Sequence, residues 1–179
     1  MKRSFLVATG LLAISSISST ASAGGYLGLG LGTTPAVNDE MATTATPVGR
    51  SLRGLGGVQF GKISLEGALN GFGVVTNRGD HTVYQASVAA KLNLPLGNHF
   101  EGFGRAGLER TWLNLDDDRY NFAGNGFLVG GGFEYRLDLG LHNASIFVDY
   151  TIHHASLEDT RGKVDETSRI WALGFTVGI

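Results

Sequence analysis

The chain has 179 residues, with 14 Lys and Arg against 16 Asp and Glu and a formal net charge of −2. That length is a single domain's, and the near-neutral balance gives nucleic acid no electrostatic footing. There is no cysteine, so disulfide and thiolate chemistry are excluded, and 28 glycines against 3 prolines exclude collagen-like and linker composition while pointing to curved, close-packed strands.

The start of the chain reads as a leader. Lys2 and Arg3 form a positive segment, Phe5 to Ile17 is apolar with interspersed Ser and Thr, and Ala21-Ser22-Ala23 is a small-x-small cleavage site. The pattern predicts a secretory signal peptide over residues 1–23 and a mature domain over 24–179. The apolar run is too short for a spanning helix of about 20 residues. No cysteine stands near the cleavage site to take a lipid anchor. Beyond it, charged residues interrupt every stretch long enough to span as a helix.

Period-two alternation then recurs to the end. In Tyr26 to Thr33, Leu27, Leu29 and Leu31 share one face and Gly28, Gly30 and Gly32 the other. The glycines do not make a nucleotide-binding loop, because no helical pattern follows. Thr34 to Gly49, Thr-rich with Pro35 and Pro47, reads as the longest loop. Arg50 to Phe60 and Ile63 to Val75 read as a hairpin about Gly61-Lys62, with Arg53 and Gln59 opposite Val58 and Phe60, and Ser64, Glu66 and Asn70 opposite Ile63, Leu65 and Leu69. Thr76 to His81 is a polar loop. Thr82 to Leu94 sets Tyr84, Ala86, Val88, Ala90 and Leu92 against Gln85, Ser87 and Lys91. After a turn at Pro95 to Asn98, His99 to Leu113 sets Phe100, Ala106, Leu108 and Trp112 against Glu101, Phe103, Arg105 and Glu109. Asn114 to Gly124 is acidic. Asn125 to Leu137 sets Phe127, Val129, Phe133 and Tyr135 against Gly130, Gly132, Glu134 and Arg136. Following the turn at Asp138 to Asn143, Ala144 to His154 sets Ile146, Val148, Tyr150 and Ile152 against Phe147, Asp149 and His153. Ser156 to Thr167 reads as a charged loop. Arg169 to Ile179 places Trp171, Leu173, Phe175, Val177 and Ile179 on one face and small residues on the other.

These are about eight strands, each long enough for the roughly 9–11 residues a tilted strand needs to cross a bilayer. Long connections near residues 34, 76, 114 and 156 alternate with short ones near 61, 95 and 138, the asymmetry of transmembrane barrels. The reading is an all-β, eight-stranded antiparallel up-and-down transmembrane barrel. Glu66, Lys91, Glu101, Arg105, Glu109, Glu134, Arg136 and Asp149 oppose the apolar faces and carry both signs, which suits a packed interior of paired charges. Tyr26, Phe60, Trp112, Phe127, Tyr135 and Trp171 sit toward apolar strand ends and suit interfacial girdles. A soluble lipocalin-like barrel is the alternative, with apolar side chains inside and charge outside.

On the Tyr26 to Gly32 strand and the terminal Trp171/Leu173/Phe175/Val177/Ile179 pattern, the mature chain resembles the small eight-stranded outer-membrane proteins of the OmpA-like and OmpX-like group. The resemblance implies a cell outer-membrane location in a Gram-negative envelope. It implies contact with outer-membrane lipids and lipopolysaccharide, and a terminal strand read by the barrel-assembly machinery. That family usually ends in Phe, whereas this chain ends in Ile179.

Candidate chemistry is sparse. His153-His154-Ala155-Ser156 resembles the His-x-Ser of lipid A deacylase barrels, with His154 as base and Ser156 as nucleophile on the outward face. The acid those enzymes carry on the last strand is not matched: Arg169 takes that height, and Glu166 falls in the loop by parity. Asp149 and His153 face inward together, where two ligands make an interior hydrogen bond rather than a metal site. Asp116-Asp117-Asp118 lacks calcium-loop spacing. Arg110 beside Trp112 reaches toward headgroups. The expected function is therefore a non-enzymatic, porin-like or OmpA-like barrel acting structurally and through four extracellular loops, with any ligand held there, without cofactor, metal or nucleic acid. A narrow gated pore and a deacylase are the alternatives.

Overall fold

The computed structural model describes residues 23–38, 46–76, 79–114, 121–138, 143–159 and 162–179. The predicted leader up to residue 22 and the acidic run Asp116 to Asp118 lie outside the described residues. The elements are β1 (Ala23–Gly32), β2 (Ala36–Val37), β3 (Thr46–Phe60), β4 (Ile63–Thr76), β5 (Gly79–Pro95), β6 (Phe100–Asn114), β7 (Asn121–Asp138), β8 (Asn143–Asp159) and β9 (Gly162–Gly178).

The eight long strands pair antiparallel with their neighbours, and β1 pairs β9 from Tyr26↔Gly178 to Gly32↔Ala172, which closes the ring. Closure leaves these strands without the free edges that lipid cannot satisfy. The glycine face of β1 explains part of the seam's tightness. A Cβ on Gly28 would stand 2.6 Å from the Phe175 carbonyl oxygen. Buried Pro35, which lacks an N–H, interrupts the first strand. The chain then rejoins β9 as β2, pairing Ala36↔Arg169 and Val37↔Ser168.

The polar connections are shorter than expected. Within the predicted loop Thr76 to His81, β4 runs to Thr76 and β5 begins at Gly79, and within the predicted charged loop Ser156 to Thr167, β8 runs to Asp159 and β9 begins at Gly162. Part of the 34–49 connection is β2, and β7 starts at Asn121 rather than Asn125. Where a hairpin leaves the apolar medium its outward face turns polar while inward Val74, Val83, Ala155 and Leu157 are buried, so the membrane alternation no longer marks the strand.

The two faces are opposite in chemistry. Outward leucines are about half exposed or more, Leu108 by 74% and Leu173 by 60%, whereas Arg53, Glu66, Lys91, Arg105 and Asp149 are buried. This is the reverse of a lipocalin-like barrel. Among the described residues no helix is long and apolar enough to cross a membrane.

Candidate functional site

The lumen is layered. At its centre Arg53 Nη1 and Arg105 Nη2 both reach Asp149 Oδ2, at 2.6 and 2.9 Å, and Arg105 Nη1 reaches Glu66 Oε1 at 2.8 Å. Arg53 Nε donates to Asn70 Oδ1, Arg105 Nη2 also donates to Thr151 Oγ1, and the Tyr26 hydroxyl donates to Glu66 Oε2. The sequence makes room for these long side chains with β7 glycines. Arg105 is paired with Gly130, Asp149 with Gly132 and Glu109 with Gly126. The result is a desolvated, two-sign network in which every charge meets an opposite one, the condition for tolerating buried ions. The space left among these residues is about 10 Å³, roughly one water.

Toward the turn at Gly61-Lys62 and the ends of β5 and β7 the lumen opens into a cavity of about 1280 Å³. Lys91–Glu134 (2.5 Å) and Arg136–Glu101 (2.6 Å) line it, and the Lys91 ammonium lies 4.3 Å from the Phe103 ring centroid. Tyr26 also lines it, so its assignment to the outer girdle is corrected. It lies on the glycine face of β1, and its hydroxyl needs the Glu66 partner that only the lumen offers.

Above the central layer, Glu109 Oε2 lies 2.5 Å from His153 Nδ1, and Gln85 Nε2 donates to Ser168 Oγ at 3.4 Å. The expected Asp149–His153 bond is thus corrected: Arg53 and Arg105 take Asp149, and His153 turns to Glu109. Glu166 is corrected too, since it is a buried lumen residue of β9 rather than a loop residue. Phe72, Val74, Val83 and Leu113, with Val37 and Phe122 packed against them, form an apolar cap at the far end. Arg53, opposite Phe60 by parity, carries the same inward signal as Glu66 and Arg105 and belongs to the network although it is absent from the predicted set.

On the outside, Phe60, Phe127, Tyr135 and Trp171 are exposed and Trp112 is partly covered by Arg110, whose guanidinium lies 5.6 Å from the ring centroid. Trp171 packs on Tyr150 at 4.8 Å between centroids, and Phe127 on His154 at 5.1 Å. Leu173, Phe175 and Val177 continue the exposed face, and Ile179, 80% exposed, donates its N–H to the Gly25 carbonyl. A polar row Arg110–Asn125–Ser156–Asp165 crosses four paired strands above this belt. Here the deacylase pair comes apart. Ser156 Oγ donates to Asp165 Oδ1 at 2.6 Å, while His154 Nδ1 lies 2.9 Å from Thr167 Oγ1. The hydroxyl proton is held by a carboxylate and the ring is oriented by a hydroxyl. That is the opposite of a base-activated nucleophile with an acid behind the base.

A family model described as the outer membrane protein beta-barrel domain matches residues 4–178. The chain belongs to this family. Among solved structures this outer-membrane barrel is similar to Neisserial surface protein A (TM-score 0.63, 13% identity, covering 86% of this chain and 96% of that one). It is also similar to Ail of Yersinia pestis in complex with the heparin analogue sucrose octasulfate (0.52, 12%, 88% and 99%). A third is the N-terminal barrel of Pseudomonas aeruginosa OprF (0.50, 12%, 87% and 99%). No curated protein matches the chain. At these identities the solved structures speak to fold alone. For an outer-membrane barrel the exposed leucines and aromatics face lipid, and at the depth of the hydrocarbon its charges pair in the lumen.

Proposed function

We propose that this outer-membrane barrel is a non-enzymatic, closed scaffold that presents its cap-end hairpins to the exterior for interaction. One observation carries the reading: the central guanidinium–carboxylate layer leaves about 10 Å³ of free space. A lumen so filled passes no solute, so the work of the molecule falls to its surfaces. In this reading the signal peptide exports the chain, and the barrel-assembly machinery reads Trp171 to Ile179. The turn at Gly61-Lys62 and the connection from β5 to β6 face the periplasm, and Arg110 and exposed Arg169 meet lipid and lipopolysaccharide headgroups. Ail holds a sulfated sugar analogue. Here the exposed cap-end residues mix Arg50 and Lys163 with Asp80 and Glu158, so no preference for polyanions is carried over.

The pore alternative is tested by planar-bilayer recording on the refolded, purified protein. The expected result is no conductance steps at any voltage the bilayer survives. Reproducible unitary steps would replace the scaffold reading with the gated-pore one.

A further inference from the structure

The upper lumen gathers oxygen atoms that the protein leaves without partners. Gln85 Oε1, Glu109 Oε1, Thr111 Oγ1 and both Glu166 carboxylate oxygens are buried and, among the described residues, meet no hydrogen-bond partner. Gln85 and Thr111 are 0% exposed and Glu166 1%. The strand register brings them to one chamber. Gln85 and Thr111 are direct cross-strand partners, and Glu109 is two residues from Thr111 on the same face of β6. Gln85 meets Ser168 across the lumen, and Ser168 is two residues from Glu166 on the inward face of β9. Along the wall, only Gly126 and Ala155 lie between Glu109 and Glu166 in the pairing row, so no bulky side chain of that row stands between the two acids.

The charges are unequal in the same place. Below, Glu66 and Asp149 meet Arg53 and Arg105, Glu134 meets Lys91, and Glu101 meets Arg136. Above, Glu109 has His153 as a hydrogen-bond partner, and neither Glu109 nor Glu166 pairs with Lys or Arg among the described residues. Water would supply hydrogen-bond donors to such a chamber but no positive charge, and carboxylates that stay ionised there need both.

We propose that Glu109 and Glu166, with the Gln85 amide oxygen and the Thr111 hydroxyl, hold one hard divalent cation of the calcium class. A divalent ion matches the two carboxylates in charge. The oxygen set, carboxylate with amide and hydroxyl, is calcium chemistry; the unpartnered nitrogen beside it, His153 Nε2, belongs to the ring that Glu109 already holds through Nδ1. Among the described residues no three His, Cys, Asp or Glu side chains gather as a chelating group, so the proposed site has two carboxylates and takes its remaining ligands from neutral oxygens. The ion ties β5 and β6 to β9 across the lumen, directly beneath the apolar cap. Enclosed between that cap and the guanidinium layer, it enters as the barrel folds and leaves slowly afterwards.

The test refolds the mature protein from denaturant into detergent free of lipopolysaccharide, with either calcium chloride or a chelator present. Gel filtration into metal-free buffer and elemental analysis follow. The wild type refolded with calcium is expected to retain about one calcium per chain, and to need a higher temperature for conversion to the unfolded gel band than protein refolded with chelator. The Glu109→Gln/Glu166→Gln double variant, checked for folding by its unboiled mobility, is expected to retain none and to melt alike under both conditions. Asp165→Asn, on the outer wall, is expected to retain the ion. Wild type that retains no calcium and melts alike in both conditions would overturn the proposal in favour of protonated carboxylates. Equal retention by a folded double variant would overturn it in favour of a surface site.

Discussion

Arg105→Ala is expected to lower the unfolding free energy of the barrel by about 3–5 kcal/mol, the cost of removing one partner from a buried ion pair. Arg105 is buried and serves Glu66, Asp149 and Thr151 at once. Its removal leaves Glu66 with only the Tyr26 hydroxyl and Asp149 with Arg53. The comparison is Arg136→Ala. Arg136 also pairs with a carboxylate, but its side chain is 47% exposed beside the cavity at the turn end. Loss of that pair is expected to cost no more than about 1 kcal/mol. Denaturant titration in lipid vesicles, followed by the fluorescence of the 2 tryptophans, measures both. Equal effects would mean that the central layer is solvated and the lumen is not closed there.

Gly126→Val is expected to prevent the barrel from reaching its folded mobility on unboiled electrophoresis. A Cβ at Gly126 would stand 1.9 Å from the His154 carbonyl oxygen and 2.7 Å from the Ala155 Cα. Both obstacles are backbone of the paired strand, so relief requires pulling β7 from β8. The penalty therefore lies at or beyond the upper end of the about 1–3 kcal/mol typical of overpacking against side chains. Gly104→Ala is the control, because a Cβ there meets nothing within 4 Å. It is expected to fold as wild type, with a gain of up to about 1 kcal/mol from the stiffer unfolded chain.

The outline of this molecule was readable because one physical rule governs it. A wall between lipid and a packed polar interior forces apolar residues to every second position, and Leu27, Leu29, Leu31 and Trp171 to Val177 obey it without exception. The same rule sorted Glu66, Lys91, Arg105 and Asp149 inward. It was misapplied at Tyr26, where aromatic character outweighed parity although the glycine face had already put position 26 inside. It failed where the strands outgrow the bilayer. There the outward positions Ser156, Glu158, Asp165 and Thr167 are polar while the inward Ala155 and Leu157 are apolar, so the pattern that marks a membrane strand is lost, a hairpin looked like a loop and Glu166 was placed outside the lumen. Partner choice was also invisible. Parity puts Asp149, His153, Glu109 and Arg105 in one lumen, but only the shear of the ring decides that His153 meets Glu109.

The claim that the apolar face meets lipid while the opposite face meets an enclosed interior is tested most directly on β9. The chain has no native cysteine, so single cysteines at Leu173, Phe175 and Thr176 carry nitroxide labels unambiguously. Thr176 is the inward comparator because it borders the cavity of about 1280 Å³ and leaves a label room. In lipid vesicles, labels at Leu173 and Phe175 should be relaxed by oxygen dissolved in the bilayer and not by a water-soluble nickel complex, with the preference reversed at Thr176. Relaxation by the nickel complex at Leu173 and Phe175 as strong as at Thr176 would contradict the account.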